Sequence, residues 1–330
     1  MTASAGRLLP RTGLGCMNLS HAYGVPPSPE EGLALLRTAL DEGVTHLDTA
    51  TLYGGGRNEE LVGRALKGRR DEVVLASKGG MAIVDGVKVI DGRPSSLRAQ
   101  VDASLARLDV DRIDLYYLHR WDKTVPIGES VGALAEAMAA GKIGAIGLSE
   151  VSVARLREAQ QVAPIAAVQN EYSLWSRNPE LGMLAATAAD GIAFVAFSPV
   201  ARGFLGDVVG DPAELAEKDI RRAMPRFQPD NWPANAALLP AWRELAAEAG
   251  CTPGQLALAW LLDRGDHVVP IPGTTRVEHL RENIAAESVT VDAALLARAG
   301  ELISTATVSG PRYAPGPAAE VDAETFEDAA

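Results

Sequence analysis

The sequence predicts an α/β protein of the (β/α)8 barrel class, the TIM barrel. Eight short apolar runs alternate with helical patterns almost from end to end, and 330 residues suit one large barrel. The runs are mostly apolar, as in parallel strands that are covered on both faces. A doubly wound sheet produces the same local alternation, so periodicity alone leaves it open. With no internal repeat and no linker, we expect a single domain over residues 1–330.

Each strand candidate is a short run rich in β-branched or apolar residues. The runs begin near residues 12, 44, 73, 113, 143, 165, 192 and 267 and read TGLGCM, VTHLDTA, VVLASK, IDLYYLH, IGAIGLS, IAAVQ, IAFVAFS and HVVPIP.

The helices between the strands carry recognisable start and stop signals. Ser28, Pro29 and Glu31 fit an N-cap, a first helical residue and the acid of a capping box. Gly43 fits a left-handed helix end. The stretch that begins at Thr252, TPGQLALAWLL, repeats the same start signal.

Two inserts and a tail interrupt the repeating pattern. The inserts, 79–96 and 206–232, both follow predicted strands, which places them at the strand ends where barrel active sites lie. Residues 311–330 are rich in Ala, Pro and acids, and we expect this tail to be mobile.

Composition excludes several classes of protein. The formal net charge is −12, which argues against a general nucleic-acid binder. No apolar run approaches the roughly 18 residues that a membrane span requires, and the N-terminal segment has no apolar core of a secretory signal. The two cysteines, Cys16 and Cys251, do not form a metal or disulfide pattern. We expect a soluble cytoplasmic protein with no bound metal.

The stretch DTATLYGGGRNEE, residues 48–60, first suggests a phosphate-binding glycine loop. It lacks the GxxxxGK[ST] pattern, and the chain has no GxGxxG fingerprint. Glu59 and Glu60 in the first turn of the following helix would repel a phosphate. We therefore interpret the glycines as a turn that joins a strand to a helix.

Four polar residues occupy the ends of predicted strands or the loop beside them. Asp48 ends the segment VTHLD, Lys78 and His119 end their runs, and Tyr53 lies in the loop after Asp48. Because side chains alternate along a strand, Asp48, Lys78 and His119 each lie on the same side of their strand as the residues two and four positions earlier. If those sides face the barrel interior, the four side chains meet at its mouth.

These four residue types suit the reduction of a carbonyl group. A ketone that accepts hydride becomes an alkoxide and needs a proton donor and a polarising hydrogen bond. An adjacent ammonium stabilises a phenolate, so we expect Lys78 to lower the pKa of Tyr53. Asp48 keeps the lysine charged, and His119 orients the carbonyl oxygen or relays a proton.

In these and further motifs the sequence resembles the aldo-keto reductase superfamily, in the branch related to potassium-channel β subunits. LDTATLYGGGRNEELVGRAL is similar to its DTAxxYGxxxxExxxGxxL signature. IDLYYLHRWD, AAVQNEYSLWSR, FSPVARGFLG and PIPGTTRVEHLREN follow in the family's order, so the resemblance covers roughly residues 7–310.

The resemblance implies a (β/α)8 barrel that transfers hydride between NADPH and an aldehyde or ketone. It makes Tyr53 the general acid, tuned by Lys78 with Asp48, and His119 the residue that orients the carbonyl. Two alternatives stay open: an NAD(P)-linked alcohol or sugar dehydrogenase that works oxidatively, and a cofactor-sensing regulatory subunit with little turnover. The identity of the substrate, the direction and the oligomeric state cannot be read from the sequence.

The resemblance also assigns cofactor contacts by motif. It implies that the nicotinamide end is held by strand-end residues and the adenosine phosphate by the segment after the last strand. The residues are Gly15, Cys16, Met17, Ser149, Gln169, Phe197, Ser198, Val200, Arg202, Gly273, Thr274, Arg276, His279, Glu282 and Asn283.

One departure from the family pattern affects the choice of cofactor. Thr275 stands where relatives often have a lysine able to meet the 2′-phosphate, and Arg276 beside it can compensate. We expect NADPH in preference to NADH. For the substrate pocket we select Tyr23 and Trp121, the latter because it lies close to His119, and structural packing is an equal alternative for both.

Overall fold

The computed structural model describes residues 8–20 and 22–326. Within them it contains ten strands, eight of which form one parallel sheet and two a separate hairpin. In chain order they are β1 (Leu14–Gly15), β2 (His46–Asp48), β3 (Val74–Gly79), β4 (Met81–Val84), β5 (Val87–Ile90), β6 (Ile113–Leu118), β7 (Ile143–Ser149), β8 (Ala167–Glu171), β9 (Ala193–Phe197) and β10 (Val268–Pro270).

The eight parallel strands close into a barrel. They pair in the order β1, β2, β3, β6, β7, β8, β9, β10, so each barrel strand lies beside the next one in sequence. Backbone hydrogen bonds then join the last strand to the first: Gly13 N donates to Pro270 O at 3.0 Å and Gly15 N to Pro272 O at 3.3 Å. The fold is the predicted (β/α)8 barrel, and each predicted run overlaps one barrel strand, with β3 and β8 extending one and two residues beyond their runs.

The helices of the described residues cover the outside of the barrel or, in the C-terminal segment, cross its strand ends. They are α1 (Pro29–Asp41), α2 (Arg57–Leu66), α3 (Pro94–Leu108), α4 (Ile127–Ala139), α5 (Val153–Gln160), α6 (Met183–Asp190), α7 (Trp232–Ala236), α8 (Leu239–Glu248), α9 (Pro253–Leu262), α10 (Val277–Ala285), α11 (Ala293–Leu302) and α12 (Pro315–Ala319). None of the helices in the described part of the chain has the length and apolarity to span a membrane.

The predicted helix signals are present. Ser28 and Glu31 form a full capping box at the start of α1. Thr252 and Gln255 form another at α9. Gly43 adopts φ 88°, in the left-handed region that favours glycine.

Both inserts lie against the cavity at the strand ends. Residues 79–96 contain the antiparallel hairpin of β4 and β5, which brings Met81 and Lys88 to the cavity wall. Residues 206–232 form short 3-10 helices, from which Ile220, Arg221 and Met224 reach the same wall. These segments therefore build part of the pocket rather than extend the barrel.

Polar contacts hold the C-terminal segment across the strand ends. Arg312 pairs with Glu150 at 2.7 Å and with Glu171 at 2.8 Å. Further along, the Asp322 carboxylate accepts hydrogen bonds from the backbone and hydroxyl of Ser152. These contacts anchor the segment on the barrel, and the mobility expected for the tail 311–330 stays a prediction. Residues 327–330 lie outside the described part of the chain.

Close packing of α2 on the end of α3 depends on Gly63. A Cβ at this position would lie 2.4 Å from the backbone oxygen of Leu108. Because backbone cannot swing aside as a side chain can, we expect Gly63→Ala to lower the free energy of unfolding by about 1–3 kcal/mol. Urea denaturation with an unchanged m value measures this loss.

Gly132 provides the matched control. It also lies within a helix, α4, but a Cβ there would have no heavy atom within 4 Å. Gly132→Ala should be neutral or raise the free energy of unfolding by up to about 1 kcal/mol, because alanine favours the helix. Equal stability of the two variants would contradict the packing argument.

Candidate active site

Three of the four catalytic candidates lie where barrel strands end. Asp48 is the last residue of β2, Lys78 is the last but one of β3, and His119 follows the last residue of β6. Two positions earlier, Ala76 and Tyr117 belong to a buried cluster drawn from strands around the barrel, which fills its interior. The alternation of the strands therefore directs these candidates towards the barrel axis.

Tyr53 reaches the same place from the loop after β2. It begins a 3-10 helix, Tyr53–Gly56, in which Gly54 and Gly55 have φ values of 59° and 66°. Gly56 follows at φ 95° and is the N-cap of α2. Non-glycine residues rarely adopt these left-handed angles. The glycine run is therefore the turn that leads from Tyr53 into α2, as predicted.

Polar contacts join Asp48, Lys78 and Tyr53, and a ring contact joins Tyr53 to His119. The Lys78 ammonium forms a buried ion pair with Asp48. Its Nζ also donates to the Thr49 carbonyl at 3.0 Å and to the Tyr53 hydroxyl at 3.2 Å. The rings of Tyr53 and His119 meet edge to face, with centroids 5.8 Å apart. A proton at Tyr53 Oη is thus within reach of a charged lysine.

Burial determines the protonation of this centre. It raises the pKa of Tyr53 above its ordinary value, and the opposing effect of Lys78 is too small to reverse this. The lowered pKa expected from Lys78 alone is therefore wrong for the structure as described. For Lys78 itself, burial lowers the pKa, but Asp48 and Tyr53 outweigh burial and the net pKa is raised. Both groups hold their protons at neutral pH.

A cavity of about 660 Å³ opens above these residues. Asp48, Tyr53 and His119 line it, while Lys78 lies fully buried behind them. Tyr23, selected for the substrate pocket, is also in the lining. Of the fifteen cofactor candidates, fourteen line the same cavity: Gly15, Met17, Ser149, Gln169, Phe197, Ser198, Val200, Arg202, Gly273, Thr274, Arg276, His279, Glu282 and Asn283.

Cys16 and Trp121 are outside that lining. The Cys16 thiol is buried and donates to the Leu14 carbonyl, and burial raises its pKa to about 12. The neighbours of Cys16 in the chain, Gly15 and Met17, line the cavity and are the residues placed to contact a cofactor there. Trp121 donates its indole N–H to the Val125 carbonyl at 2.9 Å, and the guanidinium of Arg155 lies over its ring. The structure therefore does not bring Trp121 to the substrate pocket.

The loop after β9 has a strained backbone. Ser198, Ala201 and Arg202 have φ values of 52°, 51° and 58°, and Gly203 follows at 94°. Such angles cost about 1–3 kcal/mol at non-glycine residues and gather at functional sites. Successive N–H groups in turns of this kind form concave anion-binding surfaces. Because the loop lines the cavity, it suits the phosphates of a nucleotide.

Arg202 is fixed by groups from distant parts of the chain. Its guanidinium donates to Glu171 at 2.6 Å, to Tyr23 Oη at 3.1 Å and to Tyr313 Oη at 3.0 Å. Burial alone would raise the pKa of Glu171, but Arg202 and Arg312 outweigh it and that pKa falls well below its ordinary value. The cluster anchors the C-terminal segment beside the cavity.

Several lining residues were not selected from the sequence, and two of them, Arg120 and Tyr313, place polar side chains in the cavity wall. Arg120 lies in the wall beside His119, and Tyr313 comes from the C-terminal segment. The only signal for Arg120 is its place directly after a catalytic candidate. For Tyr313 the signal is the pair Arg312–Tyr313, which is unusual in a tail of alanine, proline and acids.

Comparisons with known proteins agree with this geometry. The profile described as the Aldo/keto reductase family matches residues 11–303. The chain is 41% identical over 324 residues to "Aldo-keto reductase yakc [NADP(+)]" of Schizosaccharomyces pombe, covering 96% of this chain and 95% of that protein.

Solved structures show the same relationship. The glycerol dehydrogenase AKR11B4 from Gluconobacter oxydans has a TM-score of 0.81 at 28% identity, covering 92% of this chain and 94% of that one. An aldo/keto reductase from Klebsiella pneumoniae, solved with NADP and acetate, has a TM-score of 0.70 at 26% identity, covering 96% and 95%.

Proposed function

The chain belongs to the aldo/keto reductase family, and we propose that it reduces an aldehyde or ketone to an alcohol with NADPH. The observation that carries the proposal is the buried set of contacts from Asp48 through Lys78 to the Tyr53 hydroxyl at the floor of the cavity. The comparison proteins support the choice of cofactor, since one is named for NADP(+) and another was solved with NADP.

The lining residues fit a nicotinamide dinucleotide. Gln169 donates its side-chain N–H to Asp48 Oδ2 at 2.8 Å, which directs its amide oxygen away from that carboxylate as an acceptor for a carboxamide. Ser149 lies in the same part of the wall. The left-handed loop after β9 suits the pyrophosphate, and Arg276 at the start of α10 suits a terminal phosphate.

At the reacting centre, the protein handles the proton. Bound NADPH supplies the hydride that is added to the carbonyl carbon. The carbonyl electron pair then moves to oxygen, and Tyr53 Oη gives that oxygen its proton. Lys78 stabilises the phenolate that remains, and Asp48 keeps the lysine charged. The imidazole of His119, edge to face with the Tyr53 ring, orients the carbonyl oxygen.

Turnover with a panel of aldehydes and ketones tests this proposal, read as loss of absorbance from the reduced nicotinamide. We expect NADPH-dependent reduction of part of the panel. Tight NADPH binding without turnover of any carbonyl would favour a cofactor-sensing regulatory subunit. Efficient oxidation of alcohols with NAD⁺ and poor reduction would favour a dehydrogenase.

Arg276 provides a test of cofactor choice. Its side chain is 65% exposed and lies 3.6 Å from Glu278, so it is available to a phosphate at little cost. We expect Arg276→Ala to weaken NADPH binding about tenfold and to leave NADH binding unchanged, because only NADPH carries the 2′-phosphate. Fluorescence titration with each cofactor measures both dissociation constants.

Arg281 is the matched control for this variant. It lies in α10, of which Arg276 is the N-cap, pairs with Glu42 at 2.8 Å and is absent from the described cavity lining. Arg281→Ala should leave both dissociation constants unchanged. An equal loss of NADPH and NADH affinity in Arg276→Ala would contradict the 2′-phosphate contact.

A further inference from the structure

Arg120 is a cationic side chain at the catalytic end of the cavity. It follows His119 directly after β6, is half-buried, and lines the cavity together with Tyr53 and Ser149. Its Nη1 donates to the His119 carbonyl at 2.7 Å and to Ser149 Oγ at 3.2 Å. These two bonds fix the guanidinium in the wall beside the reacting centre.

Arg120 differs from the other cations of the cavity wall. Within residues 8–20 and 22–326 it has no ion pair with a carboxylate, although the wall contains several paired cations. The pairs are Lys88 with Glu320, Arg202 with Glu171, Arg221 with Asp219 and Arg276 with Glu278. A guanidinium that is partly removed from water and has no counter-charge is costly unless an anion completes the site.

The hydrogen bonds of Arg120 leave one edge of its guanidinium available. Both recorded bonds come from Nη1, and neither Nε nor Nη2 donates to another described residue. Two parallel N–H groups on one edge match the two oxygens of a carboxylate. The geometry therefore provides a bidentate anion site next to the catalytic tyrosine and histidine.

We propose that Arg120 binds a carboxylate of the substrate, so that the preferred substrates are aldehydes or ketones that also carry a carboxylate. The inference rests on the proposed carbonyl reduction and specifies its substrate class. The substrate's carbonyl oxygen lies at Tyr53 and His119 while its carboxylate accepts from Nε and Nη2 of Arg120.

The charge balance of the site supports an anionic substrate. Lys78 and Asp48 neutralise each other, so Arg120 leaves an unbalanced positive charge beside the reaction. Burial is the main cause of the raised pKa of Tyr53, and the positive charge of Arg120 opposes that rise in part. The chain as a whole carries −12, which repels anions. A local cation is therefore required to bind a carboxylate here.

Two rigid aldehydes, one with a carboxylate and the other with its neutral methyl ester, test the proposal. We compare kcat/KM for 4-carboxybenzaldehyde and its neutral methyl ester, methyl 4-formylbenzoate, in the wild type, Arg120→Gln and Lys88→Gln. We expect the wild type to prefer the carboxylate at least about tenfold. Arg120→Gln should lose that preference through KM, while NADPH affinity and turnover of the ester persist. Lys88→Gln, which removes a paired cation of the wall, should keep the preference.

Binding measured without turnover separates this inference from the proposed function. By calorimetry with NADP⁺ present, benzoate should bind the wild type more tightly than benzamide, and Arg120→Gln should abolish the difference. The wild-type comparison stands even if the variant does not fold. Reduction of the ester with no preference for the carboxylate would overturn the inference and leave the reductase function intact.

Two other results would also overturn it. A preference for 4-formylphenyl phosphate over the carboxylate would reassign the anion. A loss of NADPH affinity in Arg120→Gln, with equal loss for both aldehydes, would make Arg120 a cofactor contact. If no aldehyde is reduced but benzoate still binds through Arg120, the anion site is supported and the proposed reduction is not.

Discussion

Replacing Tyr53 by phenylalanine should lower kcat for carbonyl reduction by about 10²–10⁴-fold and leave NADPH affinity unchanged. The variant removes the only group that the proposal uses as a proton donor. Because burial raises the pKa of Tyr53, the wild-type hydroxyl keeps its proton at neutral pH and is ready to donate it. Stopped-flow or steady-state absorbance of the reduced nicotinamide at saturating substrate measures the loss.

The fold should tolerate this change. The Tyr53 hydroxyl accepts a hydrogen bond from Lys78, and without it Lys78 keeps its ion pair with Asp48 and its bond to the Thr49 carbonyl. Tyr116 supplies a matched control, since it is a fully buried tyrosine outside the described cavity lining whose hydroxyl lies 3.2 Å from Ser104 Oγ. Tyr116→Phe should keep full kcat. A Tyr53→Phe variant within tenfold of the wild type would refute the acid role.

The convergence of the catalytic candidates could be predicted because it depends on strand alternation. Lys78 ends a run whose alternate residues, Val74 and Ala76, are apolar, and in a closed barrel such residues have one interior to fill. Asp48 follows the same alternation after the buried His46. The direction of the Tyr53 pKa could not be predicted, since it depends on how deeply the glycine turn buries the ring. The sequence supplies the nearby charge of Lys78 but not the degree of desolvation.

Alternation fails where a strand ends. Trp121 is two residues beyond His119, and alternation places it in the pocket if the strand continues. The hydrogen-bonded strand ends at Leu118, so the chain turns there. Arg120 then lines the cavity, and Trp121 packs under Arg155. Side-chain directions in the loop depend on local hydrogen bonds, such as those of Arg120, and these are not encoded as a periodic pattern.

The C-terminal segment shows that amino-acid composition does not predict long-range contacts. Its alanines and prolines indicate low burial, yet Tyr313 and Arg312 dock on Glu171 at the end of β8. Their partner acid, Glu171, lies 141 residues before Arg312 and 142 residues before Tyr313 in the chain. Only the closed barrel brings them together. Contacts between residues so far apart in the chain can be predicted only from the tertiary structure. Capping boxes and the glycine turn can be predicted from residues adjacent in the sequence.

Replacing Lys78 by methionine should abolish activity and also lower the free energy of unfolding by about 3–5 kcal/mol. Lys78 and Asp48 are both almost fully buried, and their charges neutralise each other. Methionine fills much of the lysine volume but leaves the Asp48 carboxylate buried, with Gln169 as its remaining side-chain hydrogen-bond donor. An uncompensated charge in such a place is far more costly than the loss of one contact.

The double variant Asp48→Asn/Lys78→Met separates electrostatics from packing. It removes both charges, so we expect urea denaturation to show recovery of most of the stability lost in Lys78→Met, while kcat stays at the level of the inactive single variant. A double variant no more stable than the single one would show that methionine fails to pack in the lysine site, and that the buried charge is not the cause. A stable Lys78→Met single variant would mean that water or a proton compensates Asp48. If the ion pair serves the chemistry at Tyr53, the double variant should recover stability but not activity. The fold then tolerates the loss of both charges, whereas proton donation by Tyr53 does not.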